Sequence, residues 1–201
     1  MTERNDSYLS IKSPSEGLYK EKGSKFLAFA YPVESEEEIK EILNDLKKKY
    51  YDARHHCYAF ILGPEKSIYR ASDAGEPAHS AGDPILNQIR SSGVTNVLVV
   101  VVRYFGGTKL GVSGLINAYK TAAADALANA TVIEKLVTEK IRVHFDYPQT
   151  NEIMKALKET QAEFIHQDFS ANCTILFSVR KNLKDIVVDK LEKAGGVIHF
   201  E

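Results

Sequence analysis

The sequence predicts an α+β fold in two domains. Apolar residues recur at helical spacing in some segments and alternate as in β-strands in others. The run 97–102 is entirely apolar and lies between two turn-rich loops, which is typical of a strand buried on both faces. From Lys140 onward the pattern follows the order β-α-β-β-α-β, the order of a ferredoxin-like domain.

The first domain is expected to begin with a strand over residues 25–33. Ser35 followed by Glu38 indicates a capping box, so a helix begins there. The apolar stripe of that helix consists of Ile39, Ile42, Leu43 and Leu46. Strands over 54–62 and 67–71 follow, joined at the turn signal Gly63-Pro64.

A short helix over 84–91 is expected to end at Gly93. The buried strand, 95–104, then leads through a glycine-rich loop, 105–111, into a long helix. The positions of that helix predicted to face the sheet are Val112, Leu115, Ile116, Tyr119, Ala122, Ala123, Ala126 and Leu127.

The second domain is expected to open with a strand that carries Ile141, Val143 and Phe145. Pro148 opens a helix, and strands over 163–168 and 171–179 come next. The last elements are a helix with Ile186, Val187 and Leu191, a stop at Gly195-Gly196, and a strand over 197–200. These patterns place the domains at 1–135 and 136–201.

Composition and charge indicate a cytoplasmic protein. The 201 residues carry a net charge of −1, which excludes a protein that binds nucleic acid through its overall charge and leaves only a local patch. Residues 1–6 have no signal-peptide pattern, and no apolar run is long enough for a membrane span. The two cysteines, Cys57 and Cys173, are expected to be free thiols.

The loop Gly106-Gly107-Thr108-Lys109-Leu110-Gly111 is the first candidate site. It joins a buried strand to a helix N-terminus, where backbone N–H groups and the helix dipole favour phosphate. It is not a Walker A motif, because Val112-Ser113 stand where Lys-Ser/Thr is required. The alternative is a tight turn whose glycines only supply positive φ angles.

Positive side chains in this region form a candidate patch for an anionic partner. We expect Arg70, Arg103, Lys109 and Lys120 to contribute to it. Arg103 lies at the end of a buried strand, a position that favours pairing with a carboxylate, and Glu76 is the expected partner. Such a pair would leave Lys109 and the loop amides as the phosphate site. The alternative is a few solvated surface cations.

Residues 73–83 form a second candidate loop, with Asp73, Glu76, His79 and Ser80 as its motif residues. Carboxylates beside a histidine could bind a metal or transfer protons. Turn chemistry is the favoured alternative, with the Asp73 carboxylate accepting backbone N–H groups. His55-His56-Cys57 offers too few ligands for structural zinc. We therefore expect no metal, no cofactor and no catalytic residue.

The chain resembles the IMPACT/YigZ family of bacterial two-domain proteins. The resemblance begins at Ser24-Lys25-Phe26, continues through 55–59, and is strongest in the run 97–112. It implies a first domain like domain 2 of ribosomal protein S5. It also implies a second domain like the ferredoxin-like last domain of elongation factor G. The function implied is a non-enzymatic regulator of translation that binds RNA or the ribosome, with a protein partner in translation left open.

Two alternatives stay open at this point. One is an enzyme that acts on a phosphorylated small molecule and uses the same loop, which a deep apolar-walled pocket would favour. The other is a protein-binding regulator, which an exposed apolar patch would favour.

Overall fold

The computed structural model describes residues 6–170 and 172–201. The chain divides into two compact units. The first covers Tyr8–Lys135, and the second covers Leu136–Glu201 together with Asp6 and Ser7. The α+β class is confirmed.

The described part of the first unit is built from ten helices and strands. They are β1 (Ser7–Ile11), β2 (Ser15–Glu21), β3 (Ser24–Pro32), α1 (Glu36–Lys49), β4 (His55–Leu62), β5 (Ile68–Ser72), α2 (Gly82–Ser92), β6 (Val97–Tyr104), α3 (Gly111–Ala128) and β7 (Val132–Leu136).

An antiparallel five-stranded sheet in the order β2-β3-β6-β4-β5 is the centre of this unit. Its middle strand, β6, is buried along all positions from Val97 to Arg103. Val97, Val99 and Val101 join the core on the side of α2 and α3, whereas Val100 and Val102 join the core on the side of α1. The prediction of a strand buried on both faces is confirmed, because helices cover both sides of the sheet.

Helix α1 begins where the sequence indicates. The Ser35 hydroxyl accepts a hydrogen bond from the Glu38 N–H at 3.2 Å. The Glu38 carboxylate returns to the N–H of Glu34 at 2.7 Å, one residue earlier than in the usual capping box. Ile39, Leu43 and Leu46 are buried against the sheet, so the predicted stripe is confirmed, with Ile42 only partly buried.

Helices α2 and α3 cover the opposite face. Gly93 ends α2 in the left-handed conformation with φ +75°, as predicted. Most of the predicted stripe of α3 is buried, but Val112 is 53% exposed and Ile116 is 38% exposed. The prediction that these two residues face the sheet is wrong. The helical spacing of apolar residues extends to the first turns of α3, but the core does not cover Val112 and Ile116 there.

Strands β1, β2 and β7 were not predicted. Strand β2 alternates between half-buried and exposed positions and has Gly17 at its centre. A Cβ at Gly17 would lie 2.3 Å from the Ala126 nitrogen, so this glycine lets the strand approach the backbone of α3. Strands β1 and β7 pair with each other as a separate two-stranded sheet.

The described part of the second unit is built from six helices and strands. They are β8 (Thr138–Phe145), α4 (Thr150–Glu159), β9 (Glu163–Asp168), β10 (Cys173–Arg180), α5 (Lys184–Lys193) and β11 (Val197–Phe200). A short 3-10 turn containing Pro148 precedes α4.

The predicted order β-α-β-β-α-β is the order observed in this unit. Its sheet is antiparallel, with strand order β11-β8-β10-β9. Ile141, Val143 and Phe145 are buried on one face of β8, and Val187 and Leu191 are buried in α5, whereas Ile186 is 50% exposed. Ala171, where the third strand was expected to begin, lies outside the described residues, as do residues 1–5.

We expect a fragment of residues 1–135 to fold without the second unit. Its core residues come from its own helices and sheet, including the buried positions of α1, α2, α3 and β6. A cut after Ile133 would remove three residues of β7, whereas a cut after Lys135 removes only Leu136, so Lys135 is the better end point. Cooperative thermal unfolding, followed by circular dichroism beside the full chain, checks this expectation. A molten or insoluble fragment, beside a well-folded full chain, would contradict the independence of the first unit.

Candidate functional site

Three glycines with different structural roles determine the backbone path of the loop after β6. A Cβ at Gly106 would lie 1.9 Å from the Gly23 carbonyl carbon, so Gly106 allows close contact with the β2–β3 turn. Its N–H donates to Ser24 Oγ at 3.1 Å. Gly107 and Gly111 have φ angles of +88° and +73° with open space beside them. The positive φ angles thus account for Gly107 and Gly111, in agreement with the alternative of a tight turn.

The loop delivers the chain to the N-terminus of α3, which has 18 residues. Leu110 is the N-cap residue and makes no side-chain capping bond, and the first turn contains no acidic residue. The first N–H groups of the helix therefore have no side-chain capping partner at the positive end of the helix dipole. Lys109 is exposed beside them.

A cleft of about 480 Å³ lies at this helix end. Its walls come from the glycine-rich loop, the end of β6 and the starts of α3 and β4, and from the second candidate loop, residues 73–83, termed the motif loop. They consist of Arg54, His55, Glu76, Pro77, Arg103, Phe105, Lys109, Leu110, Gly111, Val112 and Leu115. The predicted residues Glu76, Arg103, Lys109 and Gly111 thus meet at one place.

Several of the cleft residues were missed from the sequence. Arg54 and Phe105 are the most informative, because one adds an exposed cation and the other an aromatic ring that is 56% exposed. The antiparallel pairing of β4 with β6, which sets His55 opposite Arg103, brings Arg54 to the cleft. The sequence carries no signal for that pairing beyond the two strands themselves.

The expected pair between Arg103 and Glu76 is present. Arg103 Nη1 lies 2.6 Å from Glu76 Oε1, and the two side chains are 8% and 4% exposed. The guanidinium carbon lies 5.5 Å from the Phe26 ring centroid and 5.7 Å from the Phe105 centroid. Arg103 Nε is buried without a hydrogen-bond partner. This pair is the case in which Arg103 is expected to be structural, with Lys109 and the loop amides left as the candidate phosphate site.

Two more buried groups extend this pair into the core. The Tyr119 hydroxyl donates to the same Glu76 oxygen at 2.7 Å. The Cys57 thiol lies 3.3 Å from the Tyr119 hydroxyl oxygen and donates to the Asp73 carbonyl at 3.0 Å. Burial raises the pKa of Cys57 to about 12, and burial together with the neighbouring Cys57 and Glu76 raises the pKa of Tyr119. Both groups are therefore protonated hydrogen-bond donors at neutral pH.

The second candidate loop follows turn chemistry. The Asp73 carboxylate accepts hydrogen bonds from the N–H groups of His79, Ala81 and Gly82 at 2.8–3.0 Å. Burial acts to raise the pKa of Asp73, but these N–H groups outweigh burial and lower it. Asp73 thereby caps the N-terminus of α2, whose own N-cap residue, Ala81, has no side chain for the task.

His79 and Ser80 in this loop have local partners. His79 Nδ1 lies 2.6 Å from Asp83 Oδ2, and this hydrogen bond raises the pKa of His79. Ser80 Oγ donates to the Pro77 carbonyl at 2.6 Å. Within residues 6–170 and 172–201, no group of three or more His, Cys, Asp or Glu side chains is arranged to hold a metal ion.

Arg70 and Lys120 lie away from the cleft. In the backbone register of the sheet, Arg70 on β5 lies opposite Phe60 on β4, and Phe60 lies opposite Leu98 on β6. Leu98 is five residues before Arg103. At about 3.3 Å per residue, Arg70 is displaced from the end of β6 by about 17 Å along the strand direction, and it also lies two strands away. Lys120 lines a separate groove with His79 and Asp83. The prediction that both cations join the loop patch is corrected, since the sheet and the helix separate them from it.

These features define a class of protein, an α+β protein of two units with a cleft where its central strand meets a helix N-terminus. The family model described as the Impact N-terminal domain matches residues 22–127, which is more than half of the chain. The chain belongs to the IMPACT family.

Bacterial relatives match most of the chain. IMPACT family member YvyE of Bacillus subtilis is 33% identical over 155 residues, covering 77% of this chain and 71% of the relative. IMPACT family member YigZ of Escherichia coli is 33% identical over 168 residues, covering 83% of this chain and 82% of the relative.

The fold is also that of a solved structure, a crystal structure described as that of a hypothetical protein. It matches with a TM-score of 0.75 and 29% identity, over 97% of this chain and 96% of that chain. Among the described helices, none has the length and apolar character needed to cross a bilayer.

We expect Glu76→Ala to lower the free energy of unfolding by about 3 kcal/mol or more, because it leaves the Arg103 guanidinium buried without a counter-charge. Lys109→Ala, a substitution at an exposed cleft residue, should stay within about 0.5 kcal/mol of the wild type. Urea unfolding of both variants provides the measurement. A decrease under about 1 kcal/mol for Glu76→Ala would show that the pair does not support the fold.

We also expect both cysteines to resist thiol reagents in the native protein. Cys57 and Cys173 are free and fully buried, and they belong to different units. DTNB should titrate almost no thiol in native buffer and two thiols in denaturant, without a reducing agent in either sample. An intramolecular disulfide detected by mass measurement would refute this expectation.

Proposed function

We propose that this protein binds single-stranded RNA through the cleft at the start of α3, and that it acts as a cytoplasmic regulator of translation on RNA or the ribosome. The proposal includes the finer fold assignments, an S5 domain 2-like first unit and a ferredoxin-like second unit. The order β-α-β-β-α-β and the strand order β11-β8-β10-β9 support the second assignment. Membership of the IMPACT family supports the link to translation.

The observation that carries the proposal is an exposed aromatic ring beside two cations and a helix N-terminus without a side-chain cap. Phe105 is 56% exposed, and Arg54 and Lys109 are exposed in the same cleft. Proteins that bind single-stranded nucleic acid combine cations that follow the backbone with aromatic rings on which bases stack. We assign phosphate contact to Lys109, Arg54 and the first N–H groups of α3, and base stacking to Phe105.

Arg103 has a supporting role in this arrangement. Its guanidinium is held by Glu76 and lies close to the Phe105 ring. The pair therefore fixes the floor of the cleft and the position of the ring, while its own net charge is near zero. A protein with net charge −1 needs this kind of local site, because its overall field does not attract an anionic chain.

An enzyme that acts on a phosphorylated small molecule is the second candidate. The volume of about 480 Å³ lies within the range of small-molecule sites, and Leu110, Val112 and Leu115 give the cleft an apolar wall. A single nucleotide would then be a complete ligand. In the RNA proposal it is only a fragment of one.

We expect Lys109→Ala and Arg54→Ala each to weaken binding of a single-stranded oligouridylate. The slope of log affinity against log salt should become shallower by about 0.7 for each phosphate interaction that a substitution removes. Lys48→Ala removes the same charge from α1, on the opposite face of the sheet, and should leave affinity and slope unchanged. Fluorescence anisotropy across a salt series provides the measurement.

The same experiment separates the candidates. Wild-type affinity and slope in the Lys109→Ala/Arg54→Ala double variant would refute RNA binding at this cleft. Binding of uridine monophosphate as tightly as the oligomer would favour the small-molecule enzyme. Co-sedimentation of wild type and double variant with ribosomes extends the comparison to the proposed cellular target.

A further inference from the structure

We infer that the cleft distinguishes RNA from DNA, with the Glu76 carboxylate accepting a hydrogen bond from a ribose 2′-hydroxyl. This inference rests on the proposed function, since it names the sugar of the chain that the cleft binds. It starts from a buried acceptor that the Arg103 pair uses only in part.

Glu76 Oε1 accepts both hydrogen bonds described for this carboxylate, from Arg103 Nη1 at 2.6 Å and from the Tyr119 hydroxyl at 2.7 Å. The described hydrogen bonds leave Glu76 Oε2 open. A carboxylate offers about four lone-pair positions on its two oxygens, so its capacity is not filled. The side chain is 4% exposed, and the surface that Glu76 presents lines the cleft.

The position of this acceptor suits a ribose. Lys109 and Gly111, at the start of α3, line the same cleft as Glu76 and mark the phosphate position. Phe105, the proposed stacking ring, lies 5.7 Å from the guanidinium carbon of Arg103, which is itself hydrogen-bonded to Glu76. A ribose connects phosphate and base, so a chain held at both positions carries its 2′-hydroxyl into the cleft that Glu76 also lines.

The chemistry of a carboxylate makes it prefer a sugar that carries a hydroxyl donor. An ionised carboxylate can only accept hydrogen bonds, so it takes a hydroxyl donor and gains nothing from a sugar without one. The 2′-hydroxyl is the group by which a protein tells RNA from DNA. Arg103 balances the charge of Glu76, so the carboxylate does not repel the neighbouring phosphate as a lone anion would.

The test compares three ligands of equal length and sequence on the wild-type full chain: oligouridylate, oligodeoxyuridylate and 2′-O-methyl oligouridylate. We expect oligouridylate to bind about tenfold more tightly than either of the others, because both of them lack a hydrogen bond to a charged group. The methyl ether keeps the 2′-oxygen and replaces the donated proton with a methyl group. All three should show the same salt slope, since their phosphates are the same.

Equal affinity of the ribose and deoxyribose oligomers would overturn the inference and leave RNA-chain binding standing. Equal affinity of oligouridylate and its 2′-O-methyl form would overturn the acceptor role of Glu76. Failure of all three ligands to bind would overturn the inference together with the proposed function.

Two protein variants complete the test. Glu76→Gln retains an oxygen for Arg103 and Tyr119 but replaces the second acceptor with an amide donor, so the ribose preference should fall below about twofold. Lys109→Ala should weaken all three ligands equally and keep the ratio of about tenfold. An unchanged preference in folded Glu76→Gln would overturn the inference. Should that variant fail to fold, the three ligands on the wild-type chain decide the question alone.

Discussion

The double hydrogen bond to Glu76 Oε1 is the constraint on which the candidate site depends. It joins the end of β6, through Arg103, to the middle of α3, through Tyr119, and it does so from the motif loop. Removing both charges of such a pair from water costs several kcal/mol per ion, so the arrangement persists only where geometry and extra hydrogen bonds offset that cost. The floor of the cleft therefore consists of the hydrogen-bonded groups of Arg103, Glu76 and Tyr119, which a ligand does not displace.

The same constraint explains why two loops that are distant in sequence behave as one site. Glu76 belongs to the loop that Asp73 orders by accepting three backbone N–H groups. Arg103 belongs to the strand that leads into the glycine-rich loop. The Asp73 loop is thus positioned by α2, which follows it, and the glycine-rich loop by β6, which precedes it. The buried pair fixes one loop against the other. A shift in either would disturb both walls of the cleft.

Much of the architecture could be predicted because burial leaves a strong pattern. The strand β6 is apolar on both faces and can be read from its sequence, and the turn role of Asp73 follows from its Gly- and Pro-rich neighbourhood. Strand β2 escaped prediction because its half-buried positions are Ser15, Gly17, Tyr19 and Glu21, so its alternation in burial is not matched by an alternation of apolar residues. Arg54 and Phe105 escaped because their meeting depends on how β4 pairs with β6, which single-strand patterns do not encode.

The close approach of Gly23 and Gly106 has a consequence for how this chain can be altered. A Cβ on Gly23 would lie 2.8 Å from the Gly106 carbonyl oxygen, and a Cβ on Gly106 would lie 1.9 Å from the Gly23 carbonyl carbon. The two-residue hairpin turn at Lys22-Gly23 has the form of a surface turn, yet its backbone packs directly against the glycine-rich loop and supports it. The turn at Gly63 leaves open space for a Cβ, yet its N–H donates to Asn96 Oδ1 and its carbonyl accepts from Thr95 Oγ1, so an insertion there would break contacts with the residues before β6. Tertiary contacts, and not surface position alone, therefore determine whether a hairpin can carry an insertion.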